Sequence, residues 1–175
     1  MRRAEREALD LLARGKVQKP PVPIESLAEL LNASILHEHL DPEVSGVLYR
    51  LPHGPVIAVN KDHADARTRF TIAHELGHLL LHLGRALIVD HVVRAHVNLR
   101  DNRSSLATDK EEIEANAFAA SLLMPQAFVH SELARLLARP FTPDEVINDL
   151  AASFGVSQQA MEYRLTNLGL RSTLS

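Results

Sequence analysis

The pentapeptide His74-Glu75-Leu76-Gly77-His78 constrains this chain more than any other part of it. Its two histidines stand four residues apart, so on a helix they share one face and their imidazoles can grip one ion. Glu75, next to the first histidine, then projects beside that ion and not onto it, where it can take a proton from a water held there. Zinc brings the pKa of such a water to about 7, which makes hydroxide available at neutral pH. Gly77 lets a neighbouring backbone or side chain approach closely. The helix itself is predicted over residues 64–83. Ile72, Leu76, Leu79 and Leu83 form its buried stripe, Asp62 is its N-cap with Asp65 three places on, and Gly84 ends it. A chance motif on a surface helix would not be expected in register with such a stripe.

A catalytic site of this kind takes three protein ligands and keeps one position open. The chain has no cysteine, which removes thiolate ligands, disulfides and cysteine nucleophiles together. The third ligand is therefore sought in Glu111-Glu112-Ile113-Glu114-Ala115-Asn116. Successive helix positions differ by about 100°, so the three glutamates cannot all face one ion. A ligand histidine normally passes its other N–H to a carboxylate or carbonyl acceptor. Four residues after Glu112 stands Asn116, which has an amide oxygen; four after Glu111 and Glu114 stand Ala115 and Phe118, which have no such group. Glu112 is thus the expected ligand, Asn116 orients a ligand histidine without touching the metal, and Glu114 is the alternative ligand. His82 continues the His74–His78 face by one turn but stands too close along the axis to reach the same ion. It reads as a half-buried histidine at the helix end, with a hydrogen bond near the site or added positive charge there as the alternative.

The rest of the pattern points to an α+β fold: a small antiparallel sheet packed on the metal-binding helix, with a mostly helical C-terminal half. Helices are predicted over 4–14 and 24–32, and strands over 34–40, 44–51 and 56–60, the last two joined by Pro52-His53-Gly54-Pro55. Residues 86–97 fit a strand or a packed loop. Asn98–Lys110, polar and without periodicity, reads as a loop. Further helices are expected over 110–124, 125–138, 143–154 and 157–168. Aromatics are 4% of the chain, so the core must come from Leu, Ala, Val and Ile. No repeat or linker divides the sequence, and residues 1–175 read as a single domain.

No stretch is long and apolar enough to span a bilayer, and no apolar run follows Arg2 and Arg3 as a signal peptide would need. With the lack of cysteine this fits a cytoplasmic protein without a membrane partner. The formal net charge of −3 argues against tight, non-specific nucleic-acid binding. Residues 150–161 have a helix-turn-helix look, with Ala151 four before Gly155 and Val156 and Met161 placed to pack the second helix on the first. The would-be recognition helix offers Gln158, Gln159, Glu162, Tyr163 and Arg164, few cations for phosphate contacts. A pair that completes the core or docks a substrate protein explains the same pattern.

Two stretches together carry a resemblance. Residues 67–82, Arg67-Thr68-Arg69-Phe70-Thr71-Ile72-Ala73-His74-Glu75-Leu76-Gly77-His78-Leu79-Leu80-Leu81-His82, resemble the signature of the ImmA/IrrE family of metallo-endopeptidases. So do residues 112–125, from Glu112-Ile113-Glu114-Ala115-Asn116 to Met124-Pro125. Val56–Asn60 fits that family's strand before the metal helix, and Phe154-Gly155-Val156-Ser157 with Arg164-Leu165 fits its closing helices. The likeness runs over roughly residues 24–170. It implies a zincin-like fold, a zinc cofactor, and site-specific proteolysis in the cytoplasm, often of a helix-turn-helix transcriptional repressor encoded nearby. At about the size of the protease domain, the chain is expected to lack a large appended sensor domain, which leaves its activation open.

Three functions follow as alternatives. The first is a zinc endopeptidase with Glu75 as general base, its substrate laid as an extended strand against the sheet edge near Val56–Asn60. The second is a toxin- or antitoxin-type interaction module that keeps the metal site with little turnover. The third is a DNA-binding regulator acting through the last two helices.

Overall fold

The computed structural model describes residues 3–83, 87–91, 105–138, 140 and 142–174. In chain order the elements are α1 (Arg3–Arg14), α2 (Ile24–Leu30), β1 (Ser34–Glu38), β2 (Val44–Leu51), β3 (Gly54–Asn60), α3 (Asp65–Leu81), β4 (Leu87–His91), α4 (Ser105–Leu123), α5 (Gln126–Leu137), α6 (Pro143–Phe154) and α7 (Gln158–Asn167), closed by a 3-10 turn at Arg171–Leu174. The α+β class and the helical C-terminal half are those expected.

The four strands form one sheet in the order β1-β3-β2-β4. It is mixed and not purely antiparallel: β1 runs parallel to β3, while β2 is antiparallel to both β3 and β4. The short link between β1 and β2 does not pair them as a hairpin, because β3 takes the place between them. β3 is consequently a central strand, paired with β1 on one side and β2 on the other. A substrate strand cannot add to it, which corrects the expectation of an edge at Val56–Asn60. Among the described residues the edges are β1 and β4.

Residues paired across the sheet share a face. Ile35, Ile57, Leu48 and Ile88 make one such row, and they join the core with Ile72 and Leu76 of α3. The row two places along each strand puts Gly46 beside Val59 on the same helix-facing side. On its other flank α3 meets α4. Both sides of α3 are therefore covered, and Thr71 through His78 are all buried. The stripe predicted for α3 ends early: Ile72 and Leu76 are buried, but Leu83 lies beyond the last turn and is 83% exposed. His82 takes the C-cap position, and Gly84 lies outside the described residues.

The entry to α3 differs too. Ala64 is the N-cap and offers no side-chain hydrogen bond. Asp62 instead pairs with His39 at 2.8 Å, both exposed. Order at this corner comes from buried Asn60, whose Nδ2 donates to the carbonyls of Asp41 (3.2 Å) and Val44 (3.1 Å) while its Oδ1 accepts from the Asp62 N–H (3.1 Å). That side chain ties the end of β3, the start of β2 and the turn into α3 together.

α4 begins at Ser105, so residues 105–110, expected in a loop, are helical; 98–104 lie outside the described residues. In the C-terminal pair, Thr142 and Glu145 form a capping box at α6, and the chain turns through Gly155 into α7. Val146, Ile147, Leu150, Phe154, Met161 and Leu165 all enter the core. Arg164, the one cation of α7, donates from Nε to the Met124 carbonyl at 2.9 Å. Arg69 of α3 donates to the carbonyls of Val22 (2.7 Å) and Gly155 (3.2 Å), joining the metal-motif helix to the segment between α1 and α2 and to the α6–α7 turn. This pair packs into the fold as the apolar spacing suggested. No helix among the described residues is long and apolar enough to cross a membrane.

Candidate metal centre and active site

The motif histidines sit in the middle of α3, where the sheet covers one side and α4 the other. His74 is 2% exposed, His78 1% and Glu75 0%. Burying three titratable groups side by side is costly unless they are paired or hold an ion. The Nε2 atoms of His74 and His78 face each other at 2.9 Å. Glu112 reaches both from α4, with Oε2 at 3.2 Å from His74 Nε2 and Oε1 at 3.2 Å from His78 Nε2.

α4 reaches this place because of Gly77. A Cβ on Gly77 would lie 3.1 Å from the Ala115 Cα and 3.2 Å from both the Ala115 carbonyl oxygen and Phe118 Cδ1. The helices touch through backbone here, and Glu112 and Asn116, on either side of Ala115, fall beside the histidines.

The far nitrogens of the two rings have their own partners. His74 Nδ1–H donates to Asn116 Oδ1 at 3.0 Å, leaving its Nε2 lone pair toward Glu112 and His78. His78 Nδ1 lies 3.1 Å from His82 Nδ1, and His82 Nε2 lies 3.1 Å from Glu114 Oε2. Glu114 is thus turned to His82, and Glu112 alone of the glutamates in this run joins the His74–His78 pair within the described residues.

These atoms fit a divalent cation. Two imidazole lone pairs and a carboxylate converge from two helices, all within 4.8 Å of one another. Such an arrangement repels itself unless positive charge lies between its members. Burial raises the Glu112 carboxyl pKa, but the nearness of the His74 and His78 imidazoles outweighs that and holds it well below the usual carboxylate range. Glu114 is likewise lowered, first by its bond to His82.

Glu75 points from the same helix toward β2. A Cβ on Gly46 would stand 3.3 Å from Glu75 Oε1, so the bare backbone of β2 makes room for this carboxylate. Arg50, further along β2, is near enough for its charge to feel Glu75; burial lowers its pKa and Glu75 opposes that shift. Arg50 also donates to the carbonyls of His78 (2.8 Å) and His82 (2.7 Å), closing the end of α3. Every predicted site residue thus lies in one cluster. Arg50 and Gly46 were not among the expected site residues, and the hydrogen bonds of His82 are the alternative its position offered, beside its place at the helix end. An arginine in a strand and a glycine among apolar residues carry no motif of their own.

A helix bearing H-E-x-x-H under a small mixed sheet, with a glutamate brought in from the next long helix, defines a zincin-like metallopeptidase type of domain. Residues 28–166 match the profile of Peptidase_M78, the IrrE N-terminal-like domain, and the chain belongs to this family. It is also similar to "Uncharacterized immunity region protein 2" of Bacillus phage phi105, with 32% identity over 99 residues. That match spans 57% of this chain and 56% of the relative.

Proposed function

We propose that the protein is a zinc-dependent endopeptidase that makes a site-specific cut in a partner protein, a helix-turn-helix transcriptional repressor, in the cytoplasm. The observation that carries the chemistry is the convergence of His74, His78 and Glu112 on one point, with Glu75 buried beside them. Two nitrogens and one carboxylate make the ligand set of zinc hydrolases with an open position. A zinc ion held by these three side chains would act as a Lewis acid toward water and the scissile carbonyl. Asn116 orients His74 as a ligand. Glu75 accepts a proton from the attacking water as its oxygen bonds to the carbonyl carbon. It then delivers that proton to the amine nitrogen as the C–N bond breaks.

Among the described residues, the sheet edge on the Glu75 side of β3 is β4. Gly46, against Glu75, pairs with Asp90 of β4, whereas β1 lies across β3 on the far side. An extended peptide adding to β4 would run two strand spacings, about 10 Å, from Gly46 on the Glu75 side of the sheet, and backbone pairing reads a strand without a deep pocket. That mode suits a loop that can be drawn out, and it spares compact proteins.

The identity of the partner rests on the family and on the phage relative, whose immunity-region name fits a repressor-related role. To test both, the wild-type protein and Glu75→Gln are incubated with zinc and the repressor encoded beside the gene, and the fragments are mapped by mass spectrometry. A single cut by the wild type only is the expected result. Equal cutting by both proteins would remove Glu75 from catalysis. A tight complex with no cut by either would favour an interaction module with little turnover.

A further inference from the structure

The hydrogen-bonded chain behind His78 is longer than the one behind His74, and it ends on a second carboxylate. His82 is 8% exposed and lies between His78 and Glu114, 3.1 Å from each. A carboxylate oxygen only accepts, so His82 Nε2 carries the proton of that bond. In a neutral ring the other nitrogen, Nδ1, then has a lone pair. His78 Nδ1 faces that lone pair and must donate to it. Its own Nε2 is left unprotonated and directed at Glu112 and His74. With the bond reversed, His78 Nε2 would hold the proton, donating it toward His74 Nε2 2.9 Å away, and could not ligate.

We propose that Glu114 and His82 are positioning residues that fix His78 as the Nδ1–H tautomer, with its Nε2 lone pair aimed at the metal site. The proposal rests on the reading of His74, His78 and Glu112 as the metal ligands. The two ligand histidines then solve the same problem differently. His74 has an amide oxygen, which can only accept. His78 has another imidazole, which accepts only when its far nitrogen is committed as a donor, and Glu114 supplies that commitment. Two carboxylates of α4 thus serve the same site from different distances. Glu112 faces the ligand histidines and Glu114 the ring behind them, while Ile113 between them points outward, 66% exposed. Arg50 keeps the two rings in register by holding the carbonyls of both His78 and His82.

The test compares wild type with His82→Leu, Glu114→Leu, Glu114→Gln and the His82→Leu/Glu114→Leu double variant. Zinc affinity is read by chelator competition, the His78 tautomer by nitrogen-15 NMR, and folding by urea unfolding of the metal-free proteins. His82→Leu is expected to weaken zinc binding about 10–100-fold. Glu114→Leu should follow it, the double variant should be no worse than His82→Leu, and Glu114→Gln, whose amide oxygen still accepts, should recover part of the loss. Wild-type His78 should carry its proton on Nδ1, and His82→Leu should mix the tautomers. If His82→Leu does not fold, the Glu114 variants decide the matter, since that side chain lies near the surface. Unchanged zinc affinity in the variants, strictly additive losses, or a proton on His78 Nε2 in metal-free wild type would overturn the relay while leaving the metal site intact. Wild type that binds no zinc would overturn the site and the relay together.

Discussion

Gly77 of α3 and Ala115 of α4 meet backbone to backbone, with only 3.1 Å between the Ala115 Cα and the place where a Gly77 Cβ would stand. This contact sets how near Glu112 can come to the histidines. Gly77→Ala should therefore reduce zinc affinity more than stability. Alanine gains about 0.5–1 kcal/mol over glycine inside a helix, which offsets part of the crowding, whereas the ligand helix must still move by a few tenths of an ångström. Chelator competition beside urea unfolding checks this. Full affinity with lowered stability would mean that the spacing of the helices does not govern the site.

Glu112 and Glu114 should separate cleanly on substitution. Glu112→Ala removes a side chain that touches both ligand histidines, so elemental analysis should find little zinc, as with His74→Ala. Glu114 meets Lys110 and the ring behind His78, but neither ligand ring, so Glu114→Ala should retain one zinc at saturating metal, with weaker affinity. Full zinc occupancy and affinity in Glu112→Ala, together with loss in Glu114→Ala, would reverse the ligand assignment.

Asn116→Ala should lower zinc affinity or peptidase activity about 10–100-fold without abolishing binding. The amide oxygen is the acceptor for His74 Nδ1–H at 3.0 Å, and without it the buried ring can turn or change tautomer. Asn116→Asp, which keeps an oxygen there, should bind better than the alanine variant. Affinity and activity of Asn116→Ala equal to wild type would take this role away.

Much of the site was legible because helical spacing is local. His74 and His78 share a face by spacing alone. The Glu112–Asn116 pair was chosen by the same rule, and both now stand beside those histidines. The helices expected over 125–138, 143–154 and 157–168 stand within a residue of α5, α6 and α7. What the sequence hid is what depends on tertiary order. Nothing near Ser34–Glu38 announces that β1 passes over β2 to pair in parallel with β3. Nor does the run of Val44–Leu51 show that Gly46 stands over the Glu75 carboxylate while Arg50 caps the helix it comes from. His82 shows the same limit. Its place one turn beyond His78 follows from spacing, but which hydrogen bond it makes depends on Glu114, 32 residues on in another helix.

Gly46 gives the sharpest separation of catalysis from metal binding. A Cβ there would lie 2.5 Å from Thr71 Cγ2 and 3.3 Å from Glu75 Oε1. Thr71 is buried and one turn before Glu75 on the same helix, so Gly46→Ala must push on both the helix and the carboxylate. The Nε2 atoms of His74 and His78 face Glu112 of α4 and not Gly46, so zinc affinity should fall much less than turnover. Overpacking of this kind costs about 1–3 kcal/mol of stability. Displacing a catalytic group by about 1 Å can lower turnover about 100-fold, and the fall should appear in kcat more than in KM. Thr71→Ser removes the methyl group in the closest contact, so Gly46→Ala/Thr71→Ser should regain stability and part of the turnover. Repressor cleavage rates, zinc titration and urea unfolding on the three variants give the comparison. A Gly46→Ala protein with wild-type kcat would show that Glu75 does not depend on the open backbone of β2, and its role as general base at that position would have to be reconsidered.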